Sequence, residues 1–283
     1  LKSYENTWKK VGSYIFLLIV LVWVIFPLFW AATNSIKPRL STFEPGALLP
    51  FLQYRPTIDR WFHILSPHAE NPLGALFNSL VISSGSTLIV LFVSTMAAYA
   101  LARYQFGRIK SKDLALFFLS QRVMPPAVVL VPFFIIMLNL NLLDTKIGLV
   151  LVYTTFNLPY GILIMWSVFK EIPASIEEAA FVDGASDMQV LWQISLPLAR
   201  NGLIASAIIV FAFAWVEGLF ALTLTEDVAK TLPLYIMSAR SHQGTDFAAV
   251  GVNTCIALII PVILSVLIQK HLARGLTFGA VKG

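Results

Sequence analysis

Two groups of residues in this sequence could carry chemistry. The first is acidic: Glu171, Glu177, Glu178, Asp183 and Asp187 meet no Lys or Arg between Lys170 and Arg200. Such carboxylates stay in water, where their chemistry is docking. The second group is polar residues set singly into apolar runs: Arg122, Tyr153, Asn157, Glu217 and Asn253. An ionisable group in such a run is expensive unless paired or wetted, while aromatic faces and amides suit sugar rings and hydroxyls. Helix packing is the plain alternative for Tyr153, Asn157, Trp166 and Asn253. Neither group reads as an enzyme, because no Ser-His or paired-carboxylate arrangement occurs in the apolar runs. The four His residues are scattered, so no metal constellation is expected. The lone Cys255 leaves no disulfide or cysteine metal cluster within the chain. No GxxxxGK[ST] loop is present, so no ATP is expected on this chain.

The elements that must position these residues are membrane helices. Hydrophobic residues make up 58% of the 283 and charged residues 12%, far from the soluble norm of about one quarter charged. The chain therefore reads as an all-α integral membrane protein in contact with lipid. A span needs about 20 mostly apolar residues, and six stretches qualify: 14–33, 76–102, 114–138, 147–169, 202–225 and 248–269. The first is too long for a signal peptide and lacks a small-residue cleavage site, so it reads as an uncleaved span. The formal charge of +5 does not mark a nucleic-acid binder, because the cations sit in small groups between apolar runs.

Those groups give an orientation. Lys2, Lys9, Lys10, Arg103, Arg108, Lys110, Lys112, Lys170, Arg200, Lys270, Arg274 and Lys282 fall on one side; Lys37, Arg39, Arg55, Arg60, Lys146, Lys230 and Arg240 fall on the other. The richer side is cytoplasmic, and both termini with it. The acidic segment of about 170–200 is then a cytoplasmic loop between spans four and five. The segment of about 34–75 is an outer loop.

Within the acidic loop, Pro173 suits a first helical turn, and Ile176, Ala179, Ala180 and Val182 recur at helical spacing until Gly184. Ser186 followed by Gln189 predicts a capping box and a second short helix that stops before Pro197. Two short helices bent at Asp183 to Ala185 make a knob for a protein partner. A helix lying on lipid headgroups is the alternative, but such helices favour Lys and Arg on their polar face.

Glu178, Ala179 and Ala180, then Gly184, then Ile194, Leu196 and Pro197 resemble the EAA loop of permease subunits in bacterial ABC importers. Asp183-Gly184-Ala185 strengthens the match. Other stretches resemble the carbohydrate, maltose-type branch: Asn78-Ser79-Leu80, Ala98 to Arg103, Gln121 to Pro126, and Arg274 to Gly283. The resemblance covers about residues 14–283 and implies a single six-helix permease domain of the type I importer fold in the bacterial inner membrane. It implies that the loop docks on a cytoplasmic ATPase through Glu178, Ala179, Ala180, Asp183, Gly184, Ala185, Ile194, Leu196 and Pro197. It further implies a homologous second permease, two ATPase subunits that hold ATP and Mg, and an extracytoplasmic solute-binding protein. The cargo implied is an oligosaccharide or polysaccharide, acidic ones such as alginate included.

In the implied importer Glu178 is the expected polar anchor of the knob, and Gly184 supplies a bend that Ala would resist. Arg122, followed by Pro125 and Pro126, marks a helix break beside a cavity or other protein. It reads equally as pathway lining or as an ion pair, and Glu217 either partners it or itself faces the pathway. Arg55, Arg60, Trp61 and His63 would face the binding protein, with a plain solvated loop as the alternative, and the tail of about 271–283, which lacks apolar periodicity, would reach toward the ATPase or be a disordered end. An ion-gradient-driven secondary transporter is the rival reading, but it should show repeated halves and several intramembrane acids. The spans here offer Glu217 alone.

Overall fold

The computed structural model describes residues 2–38, 47–66, 72–238, 240–241 and 244–277, with side chains at 9–38, 47–66, 72–238 and 245–266. Arg39, Glu44, His68, Glu70, His242 and the tail from Phe278 lie outside the described residues. In chain order the helices are α1 (Lys2–Ser35), α2 (Asp59–Leu65), α3 (Pro72–Arg103), α4 (Ser111–Val123), α5 (Pro126–Asn139), α6 (Lys146–Glu171), α7 (Ala174–Val182), α8 (Asp187–Gln189), α9 (Leu196–Leu198), α10 (Arg200–Trp215), α11 (Leu219–Leu224), α12 (Leu232–Met237) and α13 (Phe247–Thr277). A π-helical turn, Val190–Ser195, joins α8 to α9. A two-residue antiparallel pair, β1 (Arg240–Ser241) and β2 (Gly244–Thr245), precedes α13.

Among the described residues four helices are long and apolar enough to cross a membrane: Lys9–Ser35, Pro72–Arg103, Lys146–Glu171 and Phe247–Val266. Two bent pairs bring the number to as many as six: α4 with α5, at 89°, and Asp187–Leu198 with α10, at 79°. The expected span 114–138 is therefore two helices. Met124 is extended (ψ 124°), as a residue before proline prefers, and Pro125 and Pro126 cannot donate backbone hydrogen bonds. The expected span 202–225 is corrected as well: α10 ends at Trp215, and α11 begins only at Leu219. There the Glu217 carboxylate accepts the N–H groups of Leu219 (2.7 Å) and Phe220 (3.2 Å), so it starts a new helix. At the other end, α13 stays helical to Thr277, through the start of the tail.

The chain divides into two compact units. The first comprises Leu1–Gly74 and Tyr235–Ile259. The apolar residues of α1 from Tyr14 to Phe26 are exposed on every side, and among its described side chains the buried ones, Ala31, Thr33, Asn34 and Ser35, lie at its end. That end is held by the Tyr54 hydroxyl, which donates to the Thr33 carbonyl at 2.7 Å, and by an edge contact of Trp30 with Phe247. Arg60 of α2 pairs with Asp246, which also caps the start of α13 by accepting the Ala249 N–H.

The second unit comprises Ala75–Leu234 and Ile260–Gly283. One apolar cluster joins Ile82 of α3, Met137 of α5, Leu149, Val152 and Tyr153 of α6, Ala214 of α10 and Phe220 of α11. Another joins Ala98 and Tyr99 of α3 to Met165 and Phe169 of α6 and to Leu191 and Ala199. Glycines let the backbones close in. A Cβ on Gly161 of α6 would sit 2.7 Å from Val90 Cγ1 and 2.8 Å from Ser94 Oγ of α3, and one on Gly202 of α10 would strike Val168 of α6. Between α5 and α6, Asp144 accepts backbone N–H groups from Glu226, Asp227, Val228 and Ala229. Partial burial pushes the Asp144 carboxyl up, but these four donors outweigh it and hold the group below its usual range.

Candidate functional site

The acidic loop folds as two short helices because each end is locally specified. Pro173 is the N-cap of α7. Its C-terminus is a Schellman motif, in which the Gly184 N–H donates to Phe181 O (3.1 Å) and the Ala185 N–H to Ala180 O (3.0 Å). Gly184 has φ +85°, and a Cβ there would meet nothing within 4 Å, so glycine is favoured by conformation and not by space. The expected capping box is present: Ser186 Oγ accepts the Gln189 N–H, and Gln189 Oε1 accepts the Ser186 N–H. The helix does not stop before Pro197 as expected. It passes through the π turn to Leu198, with the proline in the first turn of α9.

Of the residues singled out in this loop, Glu178, Ala179, Asp183, Gly184 and Pro197 are exposed, while Ala180, Ala185, Ile194 and Leu196 are half-buried. Val182, 88% exposed, and Met188 add apolar area to the exposed surface. Glu178 is thus part of an open face. The anchored carboxylate is its neighbour Glu177, 2% exposed, which neither spacing nor chemistry sets apart from the other acids.

Glu177 is gripped from three elements. Arg103 at the end of α3 donates through Nε (2.5 Å) and Nη2 (2.9 Å), Ser195 at the end of the π turn donates through Oγ (2.6 Å), and Tyr99 of α3 lies at 3.5 Å. Arg103 Nη2 also donates to Ile172 O at 3.0 Å. Around this clamp Phe92 of α3 stacks on Trp192 (6.2 Å), and the Tyr104 phenol is raised above its usual range, first by burial and then by Asp187, its hydrogen-bond partner.

The polar candidates from the apolar runs separate. The Arg122 guanidinium lies over three rings, with centroids at 4.4 Å (Phe156), 4.1 Å (Tyr160) and 5.1 Å (Phe213), and donates to Phe156 O at 3.4 Å. This is a correction to pairing with Glu217, whose carboxylate is used in starting α11. An aromatic cage stabilises a desolvated cation through the ring quadrupoles. Tyr153 is buried, its hydroxyl donating to Glu217 O at 3.1 Å, and Asn157 donates to Tyr153 O at 2.9 Å. Asn157 and, in the other unit, Asn253 are 3% and 2% exposed, which places both inside helix packing. Trp166 is half-buried, with Lys170 over its ring at 4.6 Å. In the first unit Lys37, Thr57, Asp59, Arg60 and His63 line a shallow concavity.

Three comparisons bear on this geometry. The model of the family described as "Binding-protein-dependent transport system inner membrane component" matches residues 91–278. The trehalose transport system permease protein SugB of Mycobacterium tuberculosis is 38% identical over 272 residues, covering 94% of this chain and 95% of that one. The trehalose/maltose transport system permease protein MalG of Thermococcus litoralis is 31% identical over 283 residues, covering 99% of each. Among solved structures, a bacterial ABC transporter involved in the import of the acidic polysaccharide alginate matches with a TM-score of 0.75 at 21% identity, over 94% of this chain and 97% of that one. At that identity the match speaks for the fold.

Proposed function

The chain belongs to the family of binding-protein-dependent transport system inner membrane components, and from that premise we propose that it is the permease subunit of an ATP-driven ABC importer for an oligosaccharide or related sugar. One observation carries the coupling role: an exposed acidic knob, bent at Gly184, stands between two membrane helices and is built by local caps that need no partner to form. The chain is half of the pathway. A homologous second permease supplies the other half, two ATPase subunits that hold ATP and Mg sit below the knob, and a soluble binding protein delivers cargo on the far side. Both termini and the knob are cytoplasmic, as the distribution of Lys and Arg favours.

Glu178, Ala179, Asp183, Gly184 and Pro197 present the docking face, with Ala180, Ala185, Ile194 and Leu196 supporting it from beneath. Arg122 with its ring cage lines the pathway, since it is half-exposed and carries donors that the rings do not use. Tyr153, Asn157 and Glu217 hold the helices beside it, and Asn253 packs within the other unit. The sugar relatives support carbohydrate as cargo. Acidic glycans such as alginate oligosaccharides belong in the substrate panel beside trehalose and maltose.

The test is co-expression with the neighbouring transport subunits, reconstitution into liposomes, and ATP hydrolysis measured with and without loaded binding protein. Wild type should co-purify with an ATPase whose turnover the loaded binding protein raises, and Glu178→Lys should lose that stimulation. Uptake that persists without ATP, or the absence of any co-purifying ATPase, would overturn the reading in favour of an ion-driven carrier.

A further inference from the structure

The acidic loop lies between α6 and α10 in sequence, yet its one buried carboxylate reaches neither. Glu177 is held by Arg103, at the last residue of α3, and by Ser195, which the π turn brings toward α7. π turns are rare and concentrate at functional positions. Here the extra residue per turn changes which side chain faces α7. Every charged contact of the loop with a membrane helix described above runs to α3 through this pair, and Phe92 on Trp192 adds an aromatic contact along the same helix. By contrast the docking face on the other side of α7 is made of exposed residues (Glu178, Asp183, Val182).

We infer that Glu177 is the positioning residue that transmits displacement of the docking knob to α3, through a buried ion pair with Arg103 and a hydrogen bond from Ser195. This rests on the importer reading and assigns it a path. A push on the face that carries Glu178 turns α7 as a short rigid rod. Arg103 is bound to the opposite side of that rod by two charge-assisted hydrogen bonds and to the loop's entry at Ile172 O by a third. A bidentate guanidinium fixes direction as well as distance, so α3 follows the rod instead of slipping past it. α6 and α10 then move with α3 where Gly161 and Gly202 bring their backbones close.

The experiment uses the whole transporter in nanodiscs, in a chain whose lone Cys255 is Ser and whose exposed Leu88, midway along α3, is Cys carrying a nitroxide. Removing Glu177 alone would strand Arg103, so the main variant is the neutral pair Arg103→Gln with Glu177→Gln, which leaves hydrogen bonding but no charge. Ser195→Ala is the second variant. In the reference chain, trapping the ATPase with ATP, Mg and vanadate should change the nitroxide spectrum. The neutral pair should keep the co-purifying ATPase and its basal hydrolysis but lose the spectral change, and Ser195→Ala should reduce it. Swapping the charges, Arg103→Glu with Glu177→Arg, should recover part of it.

A neutral pair whose label still responds fully would overturn the inference. So would loss of assembly and hydrolysis together with the label response, since the pair would then serve folding alone. A reference chain with no ATPase at all would sink the importer reading, and this inference with it.

Discussion

Replacing Gly184 tests the knob most directly, because the cost can be worked from the geometry. Its φ of +85° is a conformation that a Cβ resists, and nothing within 4 Å would meet that Cβ, so the penalty is conformational alone. For Ala this is about 1–2 kcal/mol, equivalent to roughly a 5–30-fold shift in the equilibrium between the closed turn and its opened forms. Asn, whose side chain tolerates the left-handed region, should cost less than Ala, and Val should cost more. The reporters are the two turn hydrogen bonds from the N–H groups of Gly184 and Ala185. Amide exchange of a peptide covering residues 180–189, measured on the transporter in nanodiscs, should accelerate in the order Gly, Asn, Ala, Val. ATP-coupled uptake should fall in the same order. If Ala and Val exchange as slowly as Gly, or Asn is as fast as Val, the left-handed turn is not what holds the knob and the reasoning fails.

Three other outcomes follow from the packing. Tyr160→Ala, which uncovers one face of the Arg122 guanidinium, should lower the apparent Tm of the solubilised protein, consistent with a loss of about 1–2 kcal/mol; Arg122→Leu should not lower it, because the cation leaves with its cost. Gly161→Ala should destabilise by about 1–3 kcal/mol through contact with Val90 and Ser94, and Val90→Ala in the same chain should restore only part of the loss, because Ser94 Cβ would still lie 2.9 Å away. Asp144 has a lowered carboxyl pKa, so its grip on the 226–229 amides is complete above the unfolded value of about 3.9 and is lost as pH falls through the lower folded value. Protection of the Val228 and Ala229 amides, after correction for the intrinsic pH dependence of exchange, should therefore fall with acid in that window, and Asp144→Asn should remove that fall.

Much of this was legible in the sequence for physical reasons. Runs of apolar residues long enough to span, broken by Pro125-Pro126, announce helices and one bend. The Gly184 turn and the Ser186–Gln189 box are local devices with local signatures. Other features were hidden. Glu177 and Glu178 are adjacent and chemically identical, but a helix turns them about 100° apart, so one is buried on Arg103 while the other faces out. Only the tertiary contact decides which. The break at Val216 to Gly218 reads as a continuation of an apolar run, because one carboxylate does not reveal that it will cap a helix. For Arg122 a signal was available: Phe156 and Tyr160 are four residues apart on α6 and so share a face, a ready surface for a cation.

The grip on Glu177 also has a bearing on how the protein is made. Arg103 precedes its carboxylate by 74 residues, roughly 4–15 s of translation at ordinary elongation rates, and Ser195 emerges 18 residues later still. While the intervening helices are synthesised, the end of α3 waits with an unanswered guanidinium at the membrane border. The buried pair can close fully only once α7 and the π turn have both left the ribosome and folded back. A nascent chain that has reached Gln189 but not Ser195 can already close the local caps of the knob, so the shape of the knob and its attachment to α3 are completed at separate stages of synthesis.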